Sequence, residues 1–251
     1  MEFSNKMATE KRILLGMLTP SSNTVLEPVT TAILQDLVRV SAHFSRFRVT
    51  EISLSETALG QFNDRPLLTA AELLADANVD VIAWNGTSAG WLGFERDVHL
   101  CDRIQSVTGI PATTSVLALN ELFQQQHITR FGLVTPYTND VQAKIVHNYQ
   151  QAGFDCIAER HLNLSVNFAF SEVTADSITQ QVMTVAEAQP QAITTFCTNL
   201  RAAPLIAALE AQTGIPIYDT ISVVVWKSLI LAGADPTQVR DWGQLFTTEA
   251  P

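Results

Sequence analysis

Short apolar runs alternate with longer amphipathic segments along the 251-residue chain. The pattern predicts a buried strand over Arg12–Leu18 and a helix over Thr24–Val38. A second strand is expected at Val49–Leu54, a helix at Leu67–Ala77 and a third strand at Val79–Trp84. Helices follow at Arg96–Val107 and Thr114–Gln126, a strand at Arg130–Thr135 and a helix at Val141–Ala152. Further on, Ala192–Phe196 reads as a strand, with a helix beginning near Arg201. Strands and helices that alternate in this way predict parallel sheets with helices on both faces.

The chain also repeats itself. "GMLTPSSN" begins at Gly16 and "GLVTPYTN" at Gly132; "GTS" begins at Gly86 and "CTN" at Cys197; "TGIP" begins at Thr108 and again at Thr213. Three matches in one order and at nearly one offset point to a duplicated α/β unit. The expected architecture is therefore α/β, with two similar pseudo-symmetric lobes at roughly 11–117 and 118–220. The segment 221–251 completes the first lobe, with a helix near Ile221–Ala232 crossing back over it. Ligands of parallel sheets bind at the carboxyl ends of the strands. The loops Thr19–Asn23, Asn85–Ser88, Thr135–Asn139 and Phe196–Asn199 are thus expected to line a cleft between the lobes.

Composition narrows the partners. The chain is 47% hydrophobic and 16% charged, with a formal net charge of -10 and a pI near 4.9. That balance is globular and argues against nucleic acid, which needs a basic patch. It leaves room for a small anion held by backbone N–H groups. The three cysteines, Cys101, Cys156 and Cys197, are widely spaced and form no zinc-like pattern. They suit a reducing, cytoplasmic setting. No apolar run approaches a membrane span, and the start, "MEFSNKMATEKR", lacks the apolar core of a signal peptide. Residues up to Glu10 read as a frayed lead-in.

Cys197 is the sharpest candidate for chemistry. It ends an apolar strand and precedes the helix expected near Arg201, a setting in which a thiol can hold or release a proton. The plainer reading is a small buried cysteine, as for Cys101 and Cys156. The repeat makes Gly86, in "VIAWNGTSAGWLG", the counterpart of Cys197. Two facing thiols would take a proton from one side of a carbon and return it on the other. This chain keeps one, with an empty place expected opposite it.

"LTPSSNTVLEP", "NGTSAG", "VTPYTND" and "FCTNLRA", in this order, resemble the aspartate/glutamate racemase superfamily. Within it they are similar to the maleate isomerase and arylmalonate decarboxylase branch, over about residues 11–233. The resemblance implies a two-lobed fold with its active site between the lobes, and neither cofactor nor metal. Racemases and maleate isomerases of that family use two cysteines; the decarboxylases have glycine at the first position and protonate with the second. Gly86 and Cys197 follow the decarboxylase pattern. By the same resemblance Thr87, Ser88 and Tyr137 hold a carboxylate, Asn23 and Asn167 bind substrate, and Pro20, Ser21, Thr198 and Asn199 complete the site.

The implied reaction is decarboxylation of a malonate-like carboxylic acid through an enediolate, with Cys197 as proton donor. Donors fixed on the enediolate oxygens bind the transition state better than the ground state. The alternative is a maleate-type isomerase or a racemase, including an ectoine-utilisation role, with the first cysteine replaced. A non-catalytic carboxylate binder is the third reading. The partner in each case is a small carboxylic acid, and the chain itself a monomer or homodimer. His43, His99, His127, His147 and His161 have no pairing spacing. Asp219 reads as the cap of the following helix, with lining the site as its alternative; Glu27 reads as settling a first helical turn in preference to acting as a base; Trp84 and Trp91 flank the first turn and read as core, with walling a pocket as their alternative.

Overall fold

The computed structural model describes residues 11–55, 61 and 64–247. The lead-in expected up to Glu10 and the last residues of the segment 221–251 lie outside them. Eight parallel strands form two four-stranded sheets. The first holds β1 (Ile13–Pro20), β2 (Val40–Phe47), β3 (Val81–Trp84) and β4 (Ala112–Thr114); the second holds β5 (Arg130–Thr135), β6 (Asp155–His161), β7 (Ala192–Thr195) and β8 (Ile217–Asp219). Their orders, β2-β1-β3-β4 and β6-β5-β7-β8, are the same pattern used twice. The helices on these sheets are α1 (Leu26–Ile33), α2 (Asp64–Ala75), α3 (Ala89–Leu92), α4 (Glu95–Thr108) and α5 (Ser115–Gln125) in the first half. In the second half they are α6 (Asn139–Gln151), α7 (Asn167–Phe170), α8 (Ala175–Ala186), α9 (Ile206–Thr213) and α10 (Thr220–Leu231).

The repeated glycines have a packing reason. A Cβ on Gly16 would stand 2.9 Å from Val79 Cγ2 and 3.3 Å from Leu74 of α2; one on Gly132 would stand 2.3 Å from Val185 of α8. Each glycine is the seat on which the equivalent helix settles against its central strand. Gly109 and Gly214, the glycines of the two "TGIP" copies, both take left-handed conformations at the ends of α4 and α9.

The second strand differs from expectation. It is β2 at Val40–Phe47, paired with β1 from Ile13–Val40 to Pro20–Phe47, and not Val49–Leu54. β2 is an edge strand with polar side chains on much of its length, which masks it beside the more apolar run that follows. In that run Val49 and Ile52 are buried, while Ile52 N–H donates to Ser165 O across to the other lobe. The boundary expected at 117/118 falls inside α5, which packs with β4, α4 and α10. α10 lies on the first lobe, against α5, α1, β3 and β4. Its run Thr220–Trp226 is buried on every side, as a helix covering one core from within must be. The helix expected near Arg201 starts later, at Ile206, after a 3₁₀ turn at Ala203–Leu205 that carries Pro204.

Asp97, in the first turn of α4, is buried. Burial raises its pKa from 3.8 to about 7, against the opposing pull of the Thr114 hydroxyl and Arg96. The folded chain therefore keeps a proton there that the unfolded chain releases. Its contribution to stability is full below the unfolded pKa of 3.8 and is lost as pH rises through about 7. Asp97→Asn removes that loss. The Tm difference, variant minus parent, is expected to grow by several degrees between about pH 4 and about pH 8, read by thermal melts across that range; a flat difference refutes the assignment.

Candidate active site

The carboxyl ends of both sheets meet over a narrow, nearly closed cavity of about 20 Å³. From the first lobe its wall takes Pro20, Val49, Ile52, Trp84, Gly86, Thr87, Ser88 and Trp91; from the second, Tyr137, Asn167, Cys197 and Thr198. Eight residues expected from the sequence thus come together: Pro20, Gly86, Thr87, Ser88, Tyr137, Asn167, Cys197 and Thr198. Val49 and Ile52 were hidden in the run read as a strand. Trp84 and Trp91 are both wall and core, being buried while they line the cavity.

Cys197 is 2% exposed. Burial raises its thiol to about 12, opposed by a hydrogen bond from Tyr137 and by the backbone N–H groups of Asn199 and Leu200; the Asp219 charge adds to the rise. The donors near the sulfur are therefore those of the turn 198–200, not the terminus of α9, because Pro204 delays that helix. Asp219 caps α10, accepting from Ile221 N and Ser222 N, and receives the Thr195 hydroxyl at 2.7 Å. Tyr137 OH lies 2.6 Å from Thr87 Oγ1. Tyr137 thus bonds Thr87 across the cleft and is placed to support the Cys197 sulfur when it is charged. Among the described residues the wall contains no lysine, arginine or histidine. An anion here meets hydroxyls and N–H groups in place of a cation.

Three expected residues lie beside the cavity and not in its wall. Asn23 Nδ2 donates to Thr198 O at 3.0 Å and to Thr198 Oγ1 at 3.3 Å, while its Oδ1 accepts Val25 N and Leu26 N. Both donors and both acceptor sites of that amide are engaged. Asn199 Oδ1 accepts Thr24 N, and its Nδ2 donates to Asn167 O. Ser21 Oγ bonds the backbone of Val49. Thr198 Oγ1 also donates to Asn85 O at 2.9 Å, and Asn167 Nδ2 donates to Ser22 Oγ at 2.8 Å. The bonds of Asn23 and Asn85 with Thr198, of Thr24 with Asn199 and of Ser22 with Asn167 hold the two lobes together around the site.

The place opposite Cys197 is not empty. A Cβ built on Gly86 would stand 2.0 Å from Trp84 Cζ2, 2.4 Å from Cε2 and 2.6 Å from Cη2. The indole folds over Gly86 and fills the space a side chain would take. Glu27 does sit in the first turn of α1, paired with Arg46. Among the described residues no cluster of His, Cys, Asp or Glu could hold a metal ion, and no helix is long and apolar enough to cross a membrane.

Two parallel sheets of one topology, joined over a single buried thiol, define a pseudo-symmetric two-lobed α/β protein with its candidate site between the lobes. The chain belongs to the arylmalonate decarboxylase family, whose sequence model matches residues 15–246. It is 26% identical over 237 residues to a maleate isomerase of Pseudomonas putida, covering 88% of this chain and 92% of that one. It is 23% identical over 179 residues to an arylmalonate decarboxylase of Bordetella bronchiseptica, covering 70% and 75%. In structure it resembles a maleate isomerase variant from Pseudomonas putida S16 with maleate, at TM-score 0.85 and 24% identity, covering 94% of this chain and 98% of the other. An arylmalonate decarboxylase superposes at TM-score 0.75 and 20% identity, covering 94% and 100%.

Burial holds Cys197 and the other two cysteines, Cys101 and Cys156, each at about 12. Thiolate absorbance near 240 nm is therefore expected to stay flat in the folded protein up to about pH 10 and to appear on unfolding at that pH. A folded-state thiolate signal near pH 8 contradicts this setting for the sulfur.

Proposed function

We propose that this protein is an enzyme acting on a small carboxylic acid through an enediolate, with Cys197 as its one acid–base thiol. Its reaction is decarboxylation of a malonate-like acid. The observation that carries the reading is that the cavity is lined by one cysteine among the described residues, Cys197, while the Trp84 ring fills the space a side chain at residue 86 would take. Decarboxylation needs one proton delivery and no abstraction. The bond to the departing carboxylate breaks and its electron pair passes onto the remaining carboxylate, giving CO₂ and the enediolate. The carbon then takes the proton of Cys197 Sγ, and the thiolate recovers one from solvent.

The surroundings support each part. A thiol held protonated by burial is a donor over the whole working pH range. As it gives up its proton, Tyr137 and the N–H groups of Asn199 and Leu200 are in place for the sulfur anion. Thr87, Ser88 and Tyr137 supply the donors for the enediolate oxygens, whose charge grows in the transition state; one such donor is worth about 3–4 kcal/mol in a dry site. Trp84, Trp91, Val49 and Ile52 keep water out and leave an apolar wall for the departing CO₂.

Maleate-type isomerisation is the second reading. The 26% identity to the Pseudomonas putida maleate isomerase, over 88% of this chain, favours it. A water or a group of the substrate then replaces the missing thiol. One experiment separates the two: incubation in deuterated water with substituted malonates and, separately, with maleate, followed by NMR and gas analysis. CO₂ release with one deuterium at the α-carbon supports decarboxylation; fumarate without gas establishes isomerisation instead.

On the accepted acid, Cys197→Ser is expected to lose at least about 100-fold in kcat with little change in Tm. Tyr137→Phe and Thr87→Ala are expected to lower kcat by more than they raise KM, because their bonds strengthen as charge develops. Steady-state kinetics of folded variants test both; near-parent kcat in Cys197→Ser removes the thiol from the mechanism.

A further inference from the structure

The contact between Trp84 and Gly86 has a counterpart in the other lobe that lacks it. Trp84 pairs with Thr114 at the end of β3, and Thr195 pairs with Asp219 at the end of β7. Asn85 N–H donates to Leu18 O, and Phe196 N–H to Val134 O. The two strand ends are superposable in kind, so Trp84 corresponds to Thr195 and Gly86 to Cys197. Thr195 directs its hydroxyl to Asp219 and leaves the space beside Cys197 to the thiol. Trp84 directs its benzo ring over Gly86, with Phe47 packed behind it at a centroid distance of 5.0 Å.

We propose that Trp84 is the specificity-determining residue of the site: its indole occupies the volume of a second acid–base side chain and closes that face of the substrate, so protonation comes from Cys197 alone. This rests on the carboxylic-acid reading given above. Two consequences follow from the 2.0 Å approach. No side chain enters at residue 86 while the indole is there, so residues 84 and 86 are coupled. Shortening residue 84 exposes the first-lobe face of the cavity, and the site then accepts a second thiol at 86 and a bulkier α-substituent on the acid.

The test is a double-mutant cycle with two readouts. Gly86→Ala in the parent is expected to lower Tm sharply or to prevent folding; in the Trp84→Leu background it is expected to lower Tm by no more than a degree or two. Leucine keeps an apolar plug while removing the ring atoms that oppose a Cβ. The second readout is exchange of the α-proton for deuterium, with loss of optical purity, in an acid that the parent produces. Parent and Trp84→Leu are expected to leave that centre intact, and Trp84→Leu/Gly86→Cys to exchange it at least about ten times faster than either.

Equal Tm costs of Gly86→Ala in both backgrounds would overturn the coupling and the proposal. Coupling without faster exchange in a folded double variant, while the parent still turns over its acid, overturns the role of Trp84 and leaves the reading of the reaction standing. Coupling in a parent that turns over no carboxylic acid marks the reverse failure: the indole fills the space, but the reaction reading falls and the assignment of specificity with it.

Discussion

The Asn23–Thr198 contact is what makes one site out of two sheets. Each sheet buries its own core and leaves a set of polar strand-end loops that a buried interface penalises unless every donor and acceptor finds a partner. Asn23 meets this from the first lobe by capping α1 with its carbonyl and giving both amide hydrogens to Thr198. Thr198 returns the link by donating to Asn85 O. Asn199 and Asn167 repeat it with Thr24 and Ser22. A network linked in this way fixes a unique arrangement, because displacing one member strands several others; among the described residues, Asn85 Oδ1 is the one side-chain atom of it left without a partner. Cys197 sits one residue before Thr198, and Gly86 one residue after Asn85. The thiol and the first-lobe turn are therefore held in register by bonds that never touch the reacting atoms.

That closure sets the electrostatics. A chain of net charge -10 draws little help from its surface field in capturing an anion, and among the described residues no cation lines the cavity. What remains is a dry pocket with oriented neutral donors. In such a pocket dipoles act at low dielectric and need no reorganisation when charge appears. The same burial that favours this holds Cys197 protonated. Under the reaction proposed, one constraint thus serves both an acid in its donating form and a cradle that rewards charge on the substrate over charge on the sulfur.

Much of this was legible in the sequence, and the reasons for the remainder are specific. The duplicated turns could be matched because each carries a packing demand: Gly16 and Gly132 seat helices, and Gly109 and Gly214 end them. β5 is buried along nearly its whole length and has the bounds its apolar run predicts. β2 was missed because an edge strand can alternate weakly, while Val49 and Ile52, which serve the cavity, imitate a strand. Asn23 and Asn199 read as site residues through the family resemblance. The coordinates add that Asn23 donates to Thr198 and that Asn199 accepts from Thr24, contacts between lobes that no sequence pattern displays. Pro204 is visible in the sequence, yet its effect on the thiol, moving the nearest helix start from the Arg201 region to Ile206, depends on the turn before it.

The residue that a one-dimensional repeat conceals best is Trp84. Alignment of the two halves pairs Gly86 with Cys197 and suggests a vacancy, since it compares residues at one position and ignores side chains arriving from two residues away. In three dimensions a glycine after a strand end is a statement about its neighbours: something large needs the room. Here the indole takes it, and Phe47 and the cavity wall lock the ring in place. The two positions are coupled, for a side chain at 86 collides with the ring, and complete loss of the ring, unlike its replacement by leucine, leaves a void beside a glycine. The two halves of the fold therefore differ by a coupled pair, Trp84 with Gly86 in one and Thr195 with Cys197 in the other. The pair, more than the missing thiol, distinguishes this lobe from its twin.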